Sequence, residues 1–223
     1  LAIDSYKLAL NLAPDNAEIH YNYANALFER GEHEQAEREY LISLKLNPNF
    51  VLAHETLHEF YWQKGEHEKL EQSYRRAIAQ SPRDTALRLS YINALSAIGR
   101  EEAALQQLEE ALPVETTAAL LHAQGRLLAN KQDYVRAQAV FSKALGQAFD
   151  LDVAQDLVRL HIIQENYDLA QADLDRLLSF APDNQLTWAL QGLCWRLVGD
   201  ERYRWLIDYG DHIAVFTLPV PSG

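Results

Sequence analysis

The sequence lacks methionine altogether and contains a single cysteine, Cys194, in 223 residues. One cysteine cannot form an internal disulfide, which excludes a disulfide-stapled extracellular scaffold and favours a reducing, cytoplasmic location. The first residues lack the basic and apolar segments of a secretion signal. No apolar run approaches the roughly 18 residues that span a bilayer, so we expect no membrane segment. Because Leu1 is no initiator, we expect a further segment before it in the parent protein.

Basic residues are also scarce. Lysine and arginine total 20 against 32 aspartates and glutamates, which gives a formal net charge of −12. No cluster of lysine and arginine reverses this balance locally. Because nucleic acids and anionic membranes are bound mainly through cationic side chains, we expect neither as a partner.

The sequence does contain an internal repeat. Two series of turn-forming residues recur every 34 residues, namely Pro14, Pro48 and Pro82, and Gly31, Gly65 and Gly99. Large and small residues keep the same step, namely Tyr6, Tyr40, Tyr74 and Leu108, and Ala2, Ala36 and Ala104, with Leu70 as the one departure. The step then becomes 33, where Ala137, Phe141 and Ala144 recur as Ala170, Leu174 and Leu177. A period of this length indicates stacked helix hairpins.

The recurring residue types fit two packed helices, A and B, in each unit. Small residues such as Ala24 in helix A and Ala36 in helix B allow neighbouring helices to approach closely. Proline ends helix B because it lacks the N–H group and disfavours helix at the residue before it. The aspartates after the prolines, Asp15, Asp84 and Asp183, are expected to cap the next helix A.

Residues 188–195 follow the pattern W-x2-L-G-x2-Y, with Gln191 in the leucine position and Trp195 in the tyrosine position. Over about residues 1–200 the sequence resembles the tetratricopeptide repeat. The resemblance implies an all-α fold, a right-handed α-α superhelix of helix pairs. We expect one repeat domain over residues 1–200, followed by a capping helix and an extended tail over 201–223. Its units are a half repeat at 2–13, full repeats at 17–50, 51–84, 85–117, 118–150 and 151–184, and a sixth helix A at 185–200.

In such a superhelix helix A lines the concave groove, where a protein or peptide partner binds. The register predicts a partner-binding groove formed by Tyr21, Asn22, Asn25, Phe28, Glu55, Glu59, Trp62, Leu89, Ser90, Asn93, His122, Arg126, Gln155 and Arg159. Asparagine and arginine side chains can bond a peptide backbone, and aromatic ones can hold its side chains. Some relatives clamp a peptide's terminal carboxylate with lysine and asparagine. Here Asn25 matches that asparagine, but Tyr21 replaces the lysine, so no such clamp is expected.

Residues His54 to His58 match H-E-x-x-H, the signature of zinc proteases. On a helix the two histidines share a face, as a metal requires, but a catalytic zinc needs a third ligand and an open site. The register instead places both histidines in the packing layer between helices A and B, with His58 as an oversized residue there. We therefore predict no catalytic residue, no metal and no cofactor, and we read Cys194 as a packed thiol.

The periodicity stops after residue 200. Residues 213–218 read as a β-strand bounded by two prolines. The runs 199–202, 205–209 and 215–221 resemble the junction where a bacterial tetratricopeptide array meets a 2-oxoglutarate/Fe(II)-dependent oxygenase domain. That family's iron ligands include an H-x-D pair, whereas His212 is followed by Ile213 and Ala214. The resemblance implies that this chain is a substrate-recruiting or assembly arm and not the oxygenase itself.

Two hypotheses of function follow. The first is a non-enzymatic scaffold that binds a protein or peptide in the groove, as the N-terminal arm of a larger bacterial protein. The alternative is a self-assembly or docking element of an oxygenase-linked protein, with a possible homodimer through the exposed terminal helices.

Overall fold

A computed structural model describes the backbone of residues 2–207. All regular secondary structure within that range is α-helical, which confirms the predicted all-α class. The strand predicted at 213–218 and most of the oxygenase-like junction lie outside the described residues. The helices are α1 (Ala2–Leu12), α2 (Ala17–Glu29), α3 (His33–Leu46), α4 (Val51–Lys64), α5 (His67–Gln80), α6 (Thr85–Ala97), α7 (Glu101–Ala111), α8 (Ala118–Asn130), α9 (Tyr134–Gln147), α10 (Leu151–Ile163), α11 (Tyr167–Phe180), α12 (Gln185–Val198) and α13 (Arg202–Ile207).

The chain divides into two compact units, one ending at Lys131 and one beginning at Gln132. In the first unit each helix from α1 to α8 packs on the next, and α4, α6 and α8 also lie side by side. In the second unit α9 to α13 pack in sequence, and α10 also contacts α12. Each unit is therefore a stack of helix hairpins. The single repeat domain expected over 1–200 stays a prediction.

Side-chain caps two residues after a proline fix the starts of α2, α6 and α12, whereas α4 begins after Phe50, which makes no such cap. Asn16 accepts the backbone N–H groups of residues 18 and 19 at 3.0 and 3.1 Å. Asp84 and Asn184 cap α6 and α12 in the same way, at 3.0 and 2.9 Å. The prediction of a cap is confirmed at Asp84 but wrong at Asp15 and Asp183. Those aspartates lie one residue before the cap, because the turn after proline takes two residues.

Each turn between helices A and B contains a residue with a left-handed backbone conformation. Among residues 2–207, four glycines have positive φ, namely Gly31, Gly65, Gly99 and Gly199. The turns after α8 and α10 lack glycine, and Gln132 and Glu165 adopt φ of 62° and 60° there. The turn geometry is thus kept where the glycine is missing, although a side chain in this region carries a steric cost.

The core depends on buried alanines at helix crossings. Seven of them have no exposed surface, namely Ala24, Ala36, Ala53, Ala104, Ala137, Ala144 and Ala170. Large rings fill the space that these small residues leave, and Tyr40, Tyr74 and Phe141 are almost completely buried. The helices approach closely at the alanines, and large aromatic side chains pack beside them. Together these contacts give the packing density of a folded interior.

Four repeats share a hydrogen bond that the sequence reading did not anticipate. The fourth residue of the A helix donates a side-chain N–H to the carbonyl of the proline six residues earlier. The donors are His20, His54, Arg88 and Trp188, at 2.8, 2.8, 2.8 and 2.6 Å from the carbonyl oxygens of Pro14, Pro48, Pro82 and Pro182. In the two repeats without that proline, the same position is Leu121 or Ala154. The donor satisfies a backbone carbonyl that would otherwise lack a partner.

We expect Ala170→Leu to lower the free energy of unfolding by about 1–3 kcal/mol, because Ala170 is fully buried and the added atoms must displace packed neighbours. The matched control is Ala172→Leu, at an exposed position of the same helix α11. Urea unfolding followed by circular dichroism measures both. Equal stability of the two variants would show that this crossing does not require a small residue.

Candidate functional site

The A helices of the first unit form a continuous surface, here called the A-row, made of the outward side chains of α2, α4, α6 and α8. Side-by-side packing of α4, α6 and α8 is direct. The link from α2 to α4 is made by a 3.2 Å hydrogen bond between the hydroxyls of Tyr21 and Thr56. It is also made by the rings of Phe28 and Phe60, whose centroids are 6.2 Å apart.

The α2 part of the A-row is occupied mainly by internal contacts. Tyr21 is half-buried, and its ring lies 5.1 Å from Phe50 and 5.9 Å from Tyr40. Asn25 accepts the Tyr40 hydroxyl at 2.6 Å. Phe28 packs edge-on against His33 and is also half-buried. Of the predicted groove residues on α2, only Asn22 is fully exposed.

The α4 part of the A-row is more open. Glu55 and Glu59 are exposed and lie one helical turn apart. Trp62 keeps 47% of its surface exposed, which is high for the largest apolar side chain. It lines a cleft of about 370 Å³ between α4 and α6, together with Glu59, Ala97 and Ile98. This part of the surface therefore has an aromatic wall beside a carboxylate.

On α6 and α8 the predicted residues differ in exposure. Asn93 and Arg126 are exposed, and His122 is half-buried. Leu89 is half-buried and packs against the core. Ser90 is buried, accepts the Tyr74 hydroxyl at 2.7 Å and donates to Glu55 at 3.1 Å. Ser90 thus orients Glu55 and is not itself available to a partner.

Gln155 and Arg159 belong to the second unit. Gln155 is 2% exposed, and its amide donates to Asn184 and Thr187, both at 2.9 Å. Its predicted place on an open surface is wrong, because the side chain turns to the neighbouring helix α12 and completes the cap there. Arg159 is exposed and donates to Asp156 at 2.6 Å.

The H-E-x-x-H segment divides into two different environments. His54 is 1% exposed, donates from Nε2 to Pro48, accepts the Ser73 hydroxyl at Nδ1 at 3.0 Å, and stacks on Tyr74. The neutral ring satisfies both partners, and burial lowers the pKa of His54 below its ordinary value. The prediction that His54 packs between helices is confirmed. For His58 it is wrong, because this bulky ring is half-buried and lines the cleft beside Trp62.

The other chemistry-bearing group that the sequence singles out is Cys194. Cys194 is 1% exposed, and burial raises the pKa of its thiol, which disfavours the thiolate. Among residues 2–207, no group of three or more histidine, cysteine, aspartate or glutamate side chains is arranged to hold a metal ion. None of the helices in this range is both long enough and apolar enough to cross a bilayer.

These observations define an α-helical repeat protein with an exposed, partly aromatic A-row. Residues 1–49 match the family model described as the tetratricopeptide repeat. Residues 41–120 match a second model, described as the bacterial transcriptional activator domain. Comparison with curated proteins gives no match. The first match indicates tetratricopeptide repeats in residues 1–49, and the fold likeness below also supports a tetratricopeptide-repeat protein.

Solved structures of repeat proteins share this fold at low sequence identity. Yeast Tom70 superposes with a TM-score of 0.66 at 15% identity over 95% of this chain, which spans 46% of the Tom70 chain. PilF of Pseudomonas aeruginosa gives 0.59 at 21% identity, covering 88% of this chain and 89% of its own. YrrB, described as a tetratricopeptide protein with an unusual peptide-binding site, gives 0.53 at 20%, covering 85% and 99%.

We expect acid to destabilise the protein partly through His54. As the pH falls below 6.5, the ordinary pKa of histidine, the unfolded chain takes up a proton that the folded ring resists. The neutral ring of His54 therefore gives the folded state its full stabilisation above pH 6.5. This stabilisation is lost as the pH falls towards the lowered pKa of His54 in the folded state. Urea unfolding gives the free energy of unfolding at pH 7.5 and at pH 5. Between these two pH values it should fall less in His54→Gln than in the wild type. Equal losses in both proteins would contradict the buried neutral ring.

Proposed function

We propose that the protein is a non-catalytic scaffold that binds a peptide or a segment of another protein on the A-row. The observation that carries the proposal is the exposed Trp62 in a cleft between α4 and α6, with Glu59 beside it. Aromatic anchors in such clefts contribute a large part of the binding free energy in protein interfaces.

The polar groups around this cleft suit a peptide backbone. Asn93 on α6 and Asn22 on α2 are exposed amides, each able to donate and accept. Arg126 on α8 adds an exposed cation at the other end of the row. The fold likeness to YrrB supports the proposal, since that protein is described by its peptide-binding site. We leave Gln155 out of the proposed surface because it is buried.

The wider setting is a further part of the proposal. We infer a recruiting arm of a larger, cytoplasmic bacterial protein, and the tail's resemblance to an oxygenase junction supports an enzymatic domain beyond it. The match of residues 41–120 to a bacterial domain model agrees with a bacterial source. The buried free thiol of Cys194 agrees with a reducing compartment.

The exposed face of α1 favours a second candidate function, self-association. Leu8 and Leu12 are 62% and 82% exposed on this helix. Apolar side chains that share a helix face, at a spacing of four residues, often mark a contact surface.

We expect Trp62→Ala to weaken peptide binding at least tenfold, because truncation removes the aromatic wall of the cleft. The probes are twelve-residue peptides selected from a random library on the wild-type protein, and fluorescence anisotropy measures their Kd. Leu169→Ala, at an exposed position of α11, is the matched control and should stay within about twofold. Unchanged affinity for all selected peptides in Trp62→Ala would place binding elsewhere.

Self-association is tested by Leu8→Lys combined with Leu12→Lys. If α1 mediates a dimer, the wild type should show a mass that rises with concentration in sedimentation equilibrium, and the variant should stay monomeric. A wild-type protein that is monomeric up to about 100 μM would exclude this second function. Because neither leucine lies on the A-row, peptide binding should be unaffected in either case.

A further inference from the structure

A second cleft lies between the B helices α3 and α5, away from the A-row. It has a volume of about 540 Å³. Leu44 and Ala77, both buried, form its floor, and Leu41 on its rim is 44% exposed. Lys45 stands on the α3 side and Arg76 on the α5 side. Glu37 and Lys69 also line the cleft, and they pair with each other at 3.6 Å. The cleft therefore combines an apolar floor with a further cation on each wall.

These two cations are unpaired, unlike their neighbours. Lys64 and Lys69 both approach Glu37, at 3.4 and 3.6 Å, and Lys69 also pairs with Glu66 at 2.5 Å, so two carboxylates balance the two charges. Neither Lys45 nor Arg76 forms an ion pair or side-chain hydrogen bond with the described part of the chain.

The local sequence explains why both cations stay unpaired. Arg76 is flanked one turn away on α5 by Gln72 and Gln80, and Lys45 is preceded one turn earlier on α3 by Leu41.

The equivalent cleft one repeat further on differs at these two positions. It lies between α5 and α7, has a volume of about 470 Å³, and has Ala79 and Glu110 there. These residues stand 34 positions after Lys45 and Arg76, so they occupy the same places in the repeat. Cations at these two positions are thus not required by the helix packing, because the second cleft has none there. Its two arginines, Arg75 and Arg100, both pair with Glu71.

We propose that the cleft between α3 and α5 binds an acidic peptide segment of a partner protein. Carboxylates would pair with Lys45 and Arg76, and an apolar side chain would pack on Leu41 and Leu44. A short peptide fits better than a polyanion such as nucleic acid, because the negative charge of the whole protein repels long anions. The proposal is independent of the A-row and does not rest on the proposed function there.

The test uses a fluorescein-labelled eight-residue peptide in which glutamate and leucine alternate, with anisotropy as the readout. Lys45→Ala combined with Arg76→Glu installs the residues that the second cleft carries. We expect this double variant to bind the peptide at least tenfold more weakly, about 1.4 kcal/mol. Lys143→Ala combined with Arg38→Glu changes the net charge equally at exposed positions outside the cleft, and should stay within about twofold.

Two further measurements make each result decisive. A matching peptide with lysine in place of glutamate should bind the wild type at least tenfold more weakly than the glutamate peptide. If circular dichroism shows that the double variant is unfolded, Lys45→Ala alone should still weaken binding about threefold. The proposal is overturned if the wild type does not bind the glutamate peptide or binds both peptides equally. It is also overturned if the folded double variant binds as the wild type does, or if the control pair loses as much.

Discussion

The structure depends on the distance of closest approach between neighbouring helices. That distance is set by alanines without exposed surface, such as Ala36 and Ala104, which sit where helices cross. A larger side chain there would separate the helices, and the rings of Tyr40 and Phe141 would no longer fill the adjacent space. No helix pair buries its apolar face alone, so these crossings make each hairpin depend on its neighbours.

A second constraint acts at the joints between repeats. Proline ends helix B sharply, but its own carbonyl then needs a donor, because the residues after it turn away into the next helix A. His54, Arg88 and Trp188 supply that donor with chemically unrelated side chains. An N–H group at the right distance is what this position requires. A histidine that looks catalytic in the sequence is thus explained by a backbone carbonyl.

Much of the fold could be predicted because it follows from residue size at a fixed step. Helices α2, α4 and α6 begin at Ala17, Val51 and Thr85, at the 34-residue step of the sequence. The candidate site was less predictable, because the register gives the helix face but not what a side chain bonds. Gln155 turns inward to cap α12, and Asn25 is bound by a core tyrosine. Such contacts join residues far apart in sequence, so periodicity cannot show them.

The difference between positions at helix crossings and positions in clefts explains where binding specificity can arise. Residues at helix crossings are restricted to small or bulky types, whereas clefts between like helices repeat in shape with few restrictions on charge. Lys45 and Arg76 line one cleft, and the equivalent positions of the next cleft are Ala79 and Glu110, so matching positions differ in charge. On one face an aromatic and carboxylate cleft surrounds Trp62, and the B helices carry a cationic one. A repeat scaffold can therefore present surfaces of different chemistry without any change to the packing that holds it together.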